Sequence, residues 1–307
     1  MIRYEKINLT NRIDLLTKIQ SFLSVCGWSC ERIDDETLNA TDSKGGSLKF
    51  NFISYKNDPN YGYSARSYIN AIDENNQSVR VAFIRFNDSQ IEFDGGYIIA
   101  DSEKMCLYLQ NLYGGKNLFF TSGHINKSHE FNGGRVVYAS IYANYSSGYN
   151  WGGYYDRDHG SADKPFSNET PTLFSLGGEW RNLHNVDLRE SKILTNLINK
   201  NTNQSQNSYN QLSALSAVDL LNIRQSNLSG LYTMITPNFF YKNNEKIFVH
   251  CGSFDFVRVM NESTTPAKRF KNGQILHLGD EKFMTLRPYT ESTLTSGNFY
   301  TLAVKIA

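Results

Sequence analysis

One short turn carries residue types that bind cations. In DRDHG, Asp156, Asp158 and His159 offer carboxylate oxygens and an imidazole nitrogen close together. Calcium loops with such spacing continue with further oxygen ligands and a closing acidic residue, whereas only Asp163 follows here. The spacing therefore favours a solvated turn, with a bound ion as the alternative.

Two histidines and the common catalytic motifs lead to the same expectation. His124 and His129 lie five residues apart in GHINKSHEF, which we predict to be a loop. Histidines that share a helical face are three or four residues apart, so this spacing predicts no bound metal. The sequence also lacks the nucleophile elbow, the phosphate-binding loop and the dinucleotide fingerprint. We therefore expect no catalytic residues, no metal and no cofactor.

An aromatic segment, SIYANYSSGYNWGGYYDRD, spans residues 140–158. So short a stretch is unable to bury all its rings within itself. The rings either cover the end of a sheet or form a contact surface, for a neighbouring subunit or for stacked sugar rings. The residues that we expect at such a surface are Tyr145, Tyr149, Trp151, Tyr154 and Tyr155.

The composition gives no electrostatic case for nucleic acid. The 307 residues carry 31 Lys and Arg against 30 Asp and Glu without a block of like charge, whereas phosphate binding depends on clustered cations. The 19 Tyr and 19 Phe favour half-buried strands. Four scattered cysteines are too few for a disulfide framework, so we expect reduced thiols. We find no signal peptide or membrane span and expect synthesis in the cytoplasm.

A helix is predicted near the start of the chain. Thr10 or Asn11 is placed to cap it, and Gly27 supplies a left-handed stop. The apolar stripe between them comprises Leu15, Leu16, Ile19, Phe22, Leu23 and Cys26. Such a stripe indicates that the helix lies on a sheet. Short strands are predicted next, in WSCERID, TLNATD and SLKFNFISY, followed by a hairpin of YSARSYINAI and VRVAFIRF.

Strand signals dominate the rest of the chain. Residues 135–145 alternate as one long strand, while residues 95–115 are ambiguous between strand and helix. Residues 212–225 form a short apolar segment compatible with a helix. Strands are again predicted in residues 230–241 and 246–260, and in two segments at the end of the chain.

These elements predict a β-rich α+β protein, in which the N-terminal helix packs on an antiparallel sheet and β-sandwich-like sheets follow. Residues 200–210 are rich in Asn, Gln and Ser, which indicates a polar loop or linker. This segment separates an N-terminal α+β, β-rich region, 1–199, from a C-terminal β-rich region, 211–307. A single intertwined domain is the alternative.

Three segments share motifs with a known family. They are the opening INLTNRIDLLTKIQSFLSVCGWSCERI, the segment NWGGYY and the ending GDEKFMTLRPYTESTLTSGNFYTLAVKI. In this order the chain resembles a family of virion structural proteins of tailed, myovirus-type bacteriophages. Phe283 stands where that family has Trp, Arg287-Pro288 where it has Phe-Pro, and YANYSSGYN replaces a basic stretch before the Gly-Gly-Tyr segment.

The resemblance implies a structural component of the virion with no catalytic residues to carry over. Its expected partners are further copies of itself, arranged as a ring, and other neck and tail proteins of the particle. We expect no direct contact with nucleic acid or membrane. The expected place is the neck or collar between head and tail. A baseplate or tail-fibre protein that binds a receptor or carbohydrate is the alternative, and a virion-borne glycan hydrolase ranks last.

Overall fold

The structure, a computed structural model, describes most of the N-terminal half of the chain and several separate segments of the C-terminal half. The described residues are 1–52, 66–72, 76, 78–85, 93–112, 117–140, 172–177, 179–182, 212–215, 234–242, 248–262, 270–288 and 299–307. They contain one helix and 21 strands, which confirms the predicted β-rich α+β class.

The elements follow one another along the chain in a nearly unbroken series of strands. Those of the first half are β1 (Arg3–Asn8), α1 (Arg12–Val25), β2 (Ser29–Arg32), β3 (Thr37–Thr41), β4 (Ser47–Asn51), β5 (Arg66–Ile72), β6 (Ser78–Arg85), β7 (Phe93–Ala100), β8 (Lys104–Asn111), β9 (Leu118–His124), β10 (Asn126–Lys127) and β11 (Gly133–Ala139). Those of the second half are β12 (Thr172–Leu176), β13 (Glu179–Asn182), β14 (Leu212–Leu215), β15 (Met234–Ile235), β16 (Asn238–Lys242), β17 (Phe248–Ser253), β18 (Val257–Glu262), β19 (Gln274–Leu278), β20 (Glu281–Leu286) and β21 (Phe299–Lys305).

The strands form four sheets, and every strand pair in the described ranges is antiparallel. The central sheet has the order β1-β7-β8-β9-β11-β12-β13, and the N-terminal sheet has the order β2-β3-β4-β5-β6. The C-terminal sheet runs β15-β18-β21-β20-β19. The fourth, which we call the bridging sheet, runs β10-β17-β16-β14 and so joins a strand of the first half to strands of the second.

Helix α1 forms as the sequence predicts. The Asn11 side chain accepts a hydrogen bond from the Asp14 N–H at 2.8 Å, and Gly27 adopts a φ of +95° just after the helix. The predicted stripe is buried and packs against strands of the N-terminal and central sheets. Its burial, rather than intrinsic propensity, is the main stabilisation of so short a helix.

Both faces of the central sheet are buried, in two separate cores. On one face, which we call the helix-side core, Leu107 and Phe120 pack with α1 and with Phe50 of the N-terminal sheet. On the other, the C-terminal-side core, Tyr108 and Phe119 pack with strands of the C-terminal and bridging sheets. Adjacent residues of one strand therefore enter different cores, as the two-residue strand period requires.

Two predicted elements differ from the structure in the residues that it describes. Within the described residues, the strand predicted over residues 135–145 is β11, which runs from Gly133 to Ala139, and residues 141–145 lie outside them. Ser140 bends the chain there, and its hydroxyl accepts from the Phe119 N–H and donates to the Asn117 carbonyl. The stretch 212–225 begins with strand β14, which pairs with β16, so the helix prediction is wrong for these first residues.

Two further segments contain a turn between strands. Residues 246–260 hold two strands, β17 and β18, because the adjacent residues Phe256 and Val257 both enter the C-terminal-side core, which one continuous strand does not allow. The ambiguous residues 95–115 contain the β7–β8 hairpin, whose turn is closed by Asp101. Its Oδ1 accepts hydrogen bonds from two backbone N–H groups of the turn, at 2.8 Å each.

The central sheet is joined to the C-terminal strands by an ion pair. Lys104 Nζ lies 2.9 Å from Asp255 Oδ1. Burial by itself raises the pKa of Asp255, but the hydrogen bond and charge of Lys104, with a hydrogen bond from Asn126, lower it below its usual value. A lowered folded-state pKa contributes stability above the unfolded-state pKa, about 3.9, and this contribution is lost as the pH falls through the folded-state value.

We therefore expect Asp255→Asn to destabilise the protein at neutral pH and to lose most of that difference as the pH falls through the lowered folded-state pKa of Asp255. Urea denaturation at several pH values measures it. Asp35→Asn, which removes an exposed carboxylate, serves as the control and is expected to have little effect. A difference between Asp255→Asn and the native chain that is as large in acid as at neutral pH would contradict this role.

Phe120 lies at the centre of the helix-side core, and its ring centroid is 6.5 Å from that of Phe50. We expect Phe120→Ala to lower the free energy of unfolding by about 3–5 kcal/mol, since it leaves a cavity between two sheets. Leu112→Ala, at an exposed position, should change it by less than about 0.5 kcal/mol. Equal effects of the two substitutions in chemical denaturation would refute the core assignment.

Candidate functional site

A group of charged and polar side chains lies at one end of the helix-side core. The β9–β11 pairing places His124 directly opposite Arg135. Strand alternation puts both on the face that also carries Phe120 and Val137. The β3–β4 turn contributes Asp42, and β13 contributes Trp180. We call Asp42, His124, Arg135 and Trp180 the buried charge cluster.

The β3–β4 turn holds Asp42 in place through its backbone. Asp42 Oδ1 accepts from the N–H groups of Lys44, at 2.8 Å, and Gly46, at 2.9 Å. The Ser43 N–H donates to the Ser102 carbonyl at 2.8 Å, which fastens this turn to the β7–β8 turn. An Asp that caps its own turn is common, and here it leaves Oδ2 directed at the central sheet.

Asp42 Oδ2 lies near two nitrogen atoms but forms no hydrogen bond with either. It lies 3.3 Å from His124 Nε2 and 4.0 Å from Arg135 Nε, yet neither approach has hydrogen-bond geometry. The exposed fractions of the side chains are 0% for Asp42, 4% for Arg135 and 14% for His124. Arg135 Nη1 donates to the Ser47 carbonyl at 2.8 Å, and its guanidinium carbon lies 5.9 Å from the Trp180 ring centroid.

The cation of Arg135 is only partly compensated. Burial lowers the pKa of Arg135 to about 10, and the Asp42 carboxylate acts in the opposite direction. The group is therefore still charged at neutral pH. A buried charge whose partner lies beyond hydrogen-bond distance retains much of its desolvation penalty.

Gly46 is required for this close approach. A Cβ at Gly46 would lie 2.4 Å from Asp42 Oδ2 and 2.8 Å from Arg135 Nε. Any side chain at this position would therefore separate the carboxylate from the guanidinium.

The cluster is better suited to an electrostatic cross-link than to nucleophilic chemistry. Ser122 lies on the same face of β9 as His124, as a nucleophile beside a His–Asp pair would. The exposed fraction of Ser122 is 0%, however, so an acyl group is unable to reach its hydroxyl. The geometry instead ties the N-terminal sheet to the central sheet through opposite charges.

The candidate residues from the sequence fall in different places. Tyr145, Tyr149, Trp151, Tyr154 and Tyr155 lie outside the described residues, as do the DRDHG turn and residues 200–210. His124 ends strand β9, so its assignment to a loop is wrong, and exposed His129 instead contacts Ser128 Oγ at 3.1 Å. In the described part of the chain no group of three or more His, Cys, Asp or Glu side chains is placed to hold a metal ion.

Sequence reasoning missed the buried charge cluster, although one signal for it exists. Arg135 is in phase with Val137 and Ala139, so a strand that buries those residues must also bury the guanidinium. A buried cation requires a partner. The partner itself, Asp42, is 93 residues away along the chain, and no local pattern connects the two.

A second feature, on the surface, is the edge strand β19. Its only partner strand among the described residues is β20. Its sequence, QILHL, contains no Lys, Arg, Asp, Glu or Pro. Ile275 is 42% exposed and Leu278 is 50% exposed, on opposite faces of the strand. The β19 edge is therefore an apolar strand with backbone groups open to pairing.

The hairpin that presents the β19 edge is held firmly to the C-terminal sheet. Lys305 Nζ lies 2.6 Å from Glu281 Oε1, and Arg258 Nη2 lies 3.6 Å from Glu281 Oε2. The Thr285 hydroxyl donates to the Lys271 carbonyl at 2.7 Å. The edge is thus positioned before any partner binds.

Removing the charge of Asp42 tests the buried charge cluster. We expect Asp42→Asn to cost about 3–5 kcal/mol of unfolding free energy, because it removes the carboxylate that faces the buried Arg135 cation. Glu103→Gln is the matched control, since Glu103 pairs with Lys44 at the surface and should contribute less than about 1 kcal/mol. Urea denaturation gives both values, and a small loss for Asp42→Asn would contradict the proposed cross-link.

Comparison with known proteins adds no assignment. No protein-family model matches the chain, and no curated protein matches it. The structure also contains no helix, among the residues that it describes, with the length and apolar character needed to cross a membrane. The family resemblance drawn from the sequence therefore stays a prediction.

Proposed function

We propose that the protein is a non-enzymatic structural subunit of a tailed-bacteriophage virion, and that it assembles with further copies of itself through the β19 edge. The observation that carries this proposal is the apolar, uncharged edge strand. The resemblance of three sequence segments to virion structural proteins supports the same conclusion, and it is the reason for placing the assembly in a virion.

The β19 edge has the properties of a strand that pairs with another chain. Monomeric proteins protect edge strands with charged residues, Pro or bulges, and β19 carries none of these residue types. Pairing would satisfy its open backbone groups and bury Ile275 and Leu278. Because the hairpin is already ordered by Glu281 and its two partners, little entropy is lost on binding.

A second copy is the partner that suits this edge. Contacts between different surfaces of identical subunits close into rings when the rotation between neighbours allows it. A ring at the neck or collar, between the head and the tail, is the arrangement that we propose. Portal, connector and tail-terminator proteins would then be its neighbours.

We also propose that the central and C-terminal sheets pack as a β-sandwich. The C-terminal-side core supports this arrangement, because alternate residues of both sheets contribute to it, including Phe119 and Val259. Phe174 of β12 also stacks on Phe239 of the bridging sheet, with ring centroids 5.0 Å apart. A β-sandwich of this kind would hold the β19 hairpin in a fixed orientation.

The test is to place charge on the β19 edge. We expect the Ile275→Lys and Leu278→Lys double variant to stay folded and to lose self-association, because lysines on an edge strand oppose strand addition. Sedimentation velocity over a range of concentrations measures the oligomer, and circular dichroism measures folding.

Val25→Lys is the matched control. Val25 is exposed on α1, away from β19, and should leave the oligomer intact. A double variant that forms the same oligomer as the native chain would overturn the assignment of the contact. A native chain that stays monomeric at every concentration would overturn assembly through copies of itself.

A further inference from the structure

Five polar atoms of the buried charge cluster have no hydrogen-bond partner among the described residues. They are Asp42 Oδ2, His124 Nε2, Arg135 Nε, Arg135 Nη2 and Trp180 Nε1. Buried polar atoms in proteins nearly always have a partner, which is another protein group, an ordered water or an ion. Two of the cluster atoms, His124 Nε2 and Arg135 Nε, lie within 4.0 Å of Asp42 Oδ2, so a hydrogen-bonding group at this place would supply missing partners.

The atoms are mostly donors. Arg135 Nε, Arg135 Nη2 and Trp180 Nε1 can only donate, whereas Asp42 Oδ2 can only accept when it is ionised. His124 Nε2 does either, according to its tautomer. The excess of donors calls for an acceptor. Nε and Nη2 also form one edge of the guanidinium. This edge can donate two parallel N–H hydrogen bonds to one anion.

The local charge favours an acceptor that is negative. Asp42 Oδ1 is already engaged by two backbone N–H groups of its own turn, and Oδ2 remains 4.0 Å from Arg135 Nε. The lowered pKa of Arg135 reflects a buried cation that its carboxylate neighbour compensates incompletely. An anion beside the free guanidinium edge would complete that compensation.

The burial of the cluster limits the size of the occupant. Asp42 and Arg135 are almost fully covered, and His124 is the most open of the three at 14%. A large oxyanion or a side chain of another protein would have to displace the β3–β4 turn. A single-atom anion requires the least space.

We propose that the buried charge cluster binds a small monovalent anion, of the chloride class, held by Arg135 Nε and Nη2 and by Trp180 Nε1. The anion links the β3–β4 turn, β11 and β13, and it stabilises the junction of the N-terminal and central sheets. This site is independent of the β19 edge and of the proposed assembly.

Bromide is the probe, since it replaces chloride and scatters anomalously. Crystals of the full chain grown in sodium bromide should show an anomalous peak at hydrogen-bond distance, about 3.3 Å, from Arg135 Nε or Nη2. In solution, bromide or chloride should raise the thermal unfolding midpoint relative to gluconate at equal ionic strength and pH.

Two tryptophan variants make the test specific. Trp180→Phe keeps a ring over Arg135 but removes one donor, and we expect it to weaken bromide binding about tenfold. Trp28→Phe is the control, because the Trp28 indole N–H already donates to the Asp101 carbonyl at 2.6 Å. It should leave the bromide dependence unchanged.

Three results would overturn the proposal. The first is an ordered water or a side chain of this protein at the guanidinium edge, with no anomalous peak. The second is a bromide peak in the crystal without any difference from gluconate in solution, which would mark an adventitious ion only. The third is an equal bromide dependence of the Trp180→Phe variant and the native chain.

Discussion

Burial of both faces of the central sheet is the constraint on which the other elements depend. Neighbouring residues such as Leu107 and Tyr108 enter different cores, so other elements must pack against each face of the sheet. Helix α1 and the N-terminal sheet pack against one face, and the C-terminal and bridging sheets pack against the other. The two ends of the chain are thereby fixed to the same sheet.

The same constraint explains why some elements are predictable from sequence and others are not. Helix α1 has a cap at Asn11, a stop at Gly27 and a one-sided stripe, all of which are local signals. Strand β8 is apolar on both faces, and a continuous apolar run does not distinguish a buried strand from a buried helix. The ends of β11 and β17 depend on contacts distant in sequence, such as the bonds of Ser140 to Asn117 and Phe119.

The buried charge cluster and the β19 edge are likewise only partly predictable from the sequence. The buried charge cluster lies where the end of β9 and the start of β11 meet the β3–β4 turn of the N-terminal sheet. Arg135 is recognisable from its strand phase, but Asp42 is identified only by the fold. Strand β19 was not among the strands predicted from the sequence, and its position at the edge of a sheet depends on the pairing order of five strands.

The central claim is that this protein is a structural subunit of the virion, and cross-linking mass spectrometry of purified phage particles tests it most directly. Lys271 and Lys282 flank β19 and are both exposed, so they report on contacts of that edge. The account predicts a ring-like copy number relative to the capsid protein, with links from these lysines to other copies and to neck proteins. Absence of the protein from purified particles would contradict it.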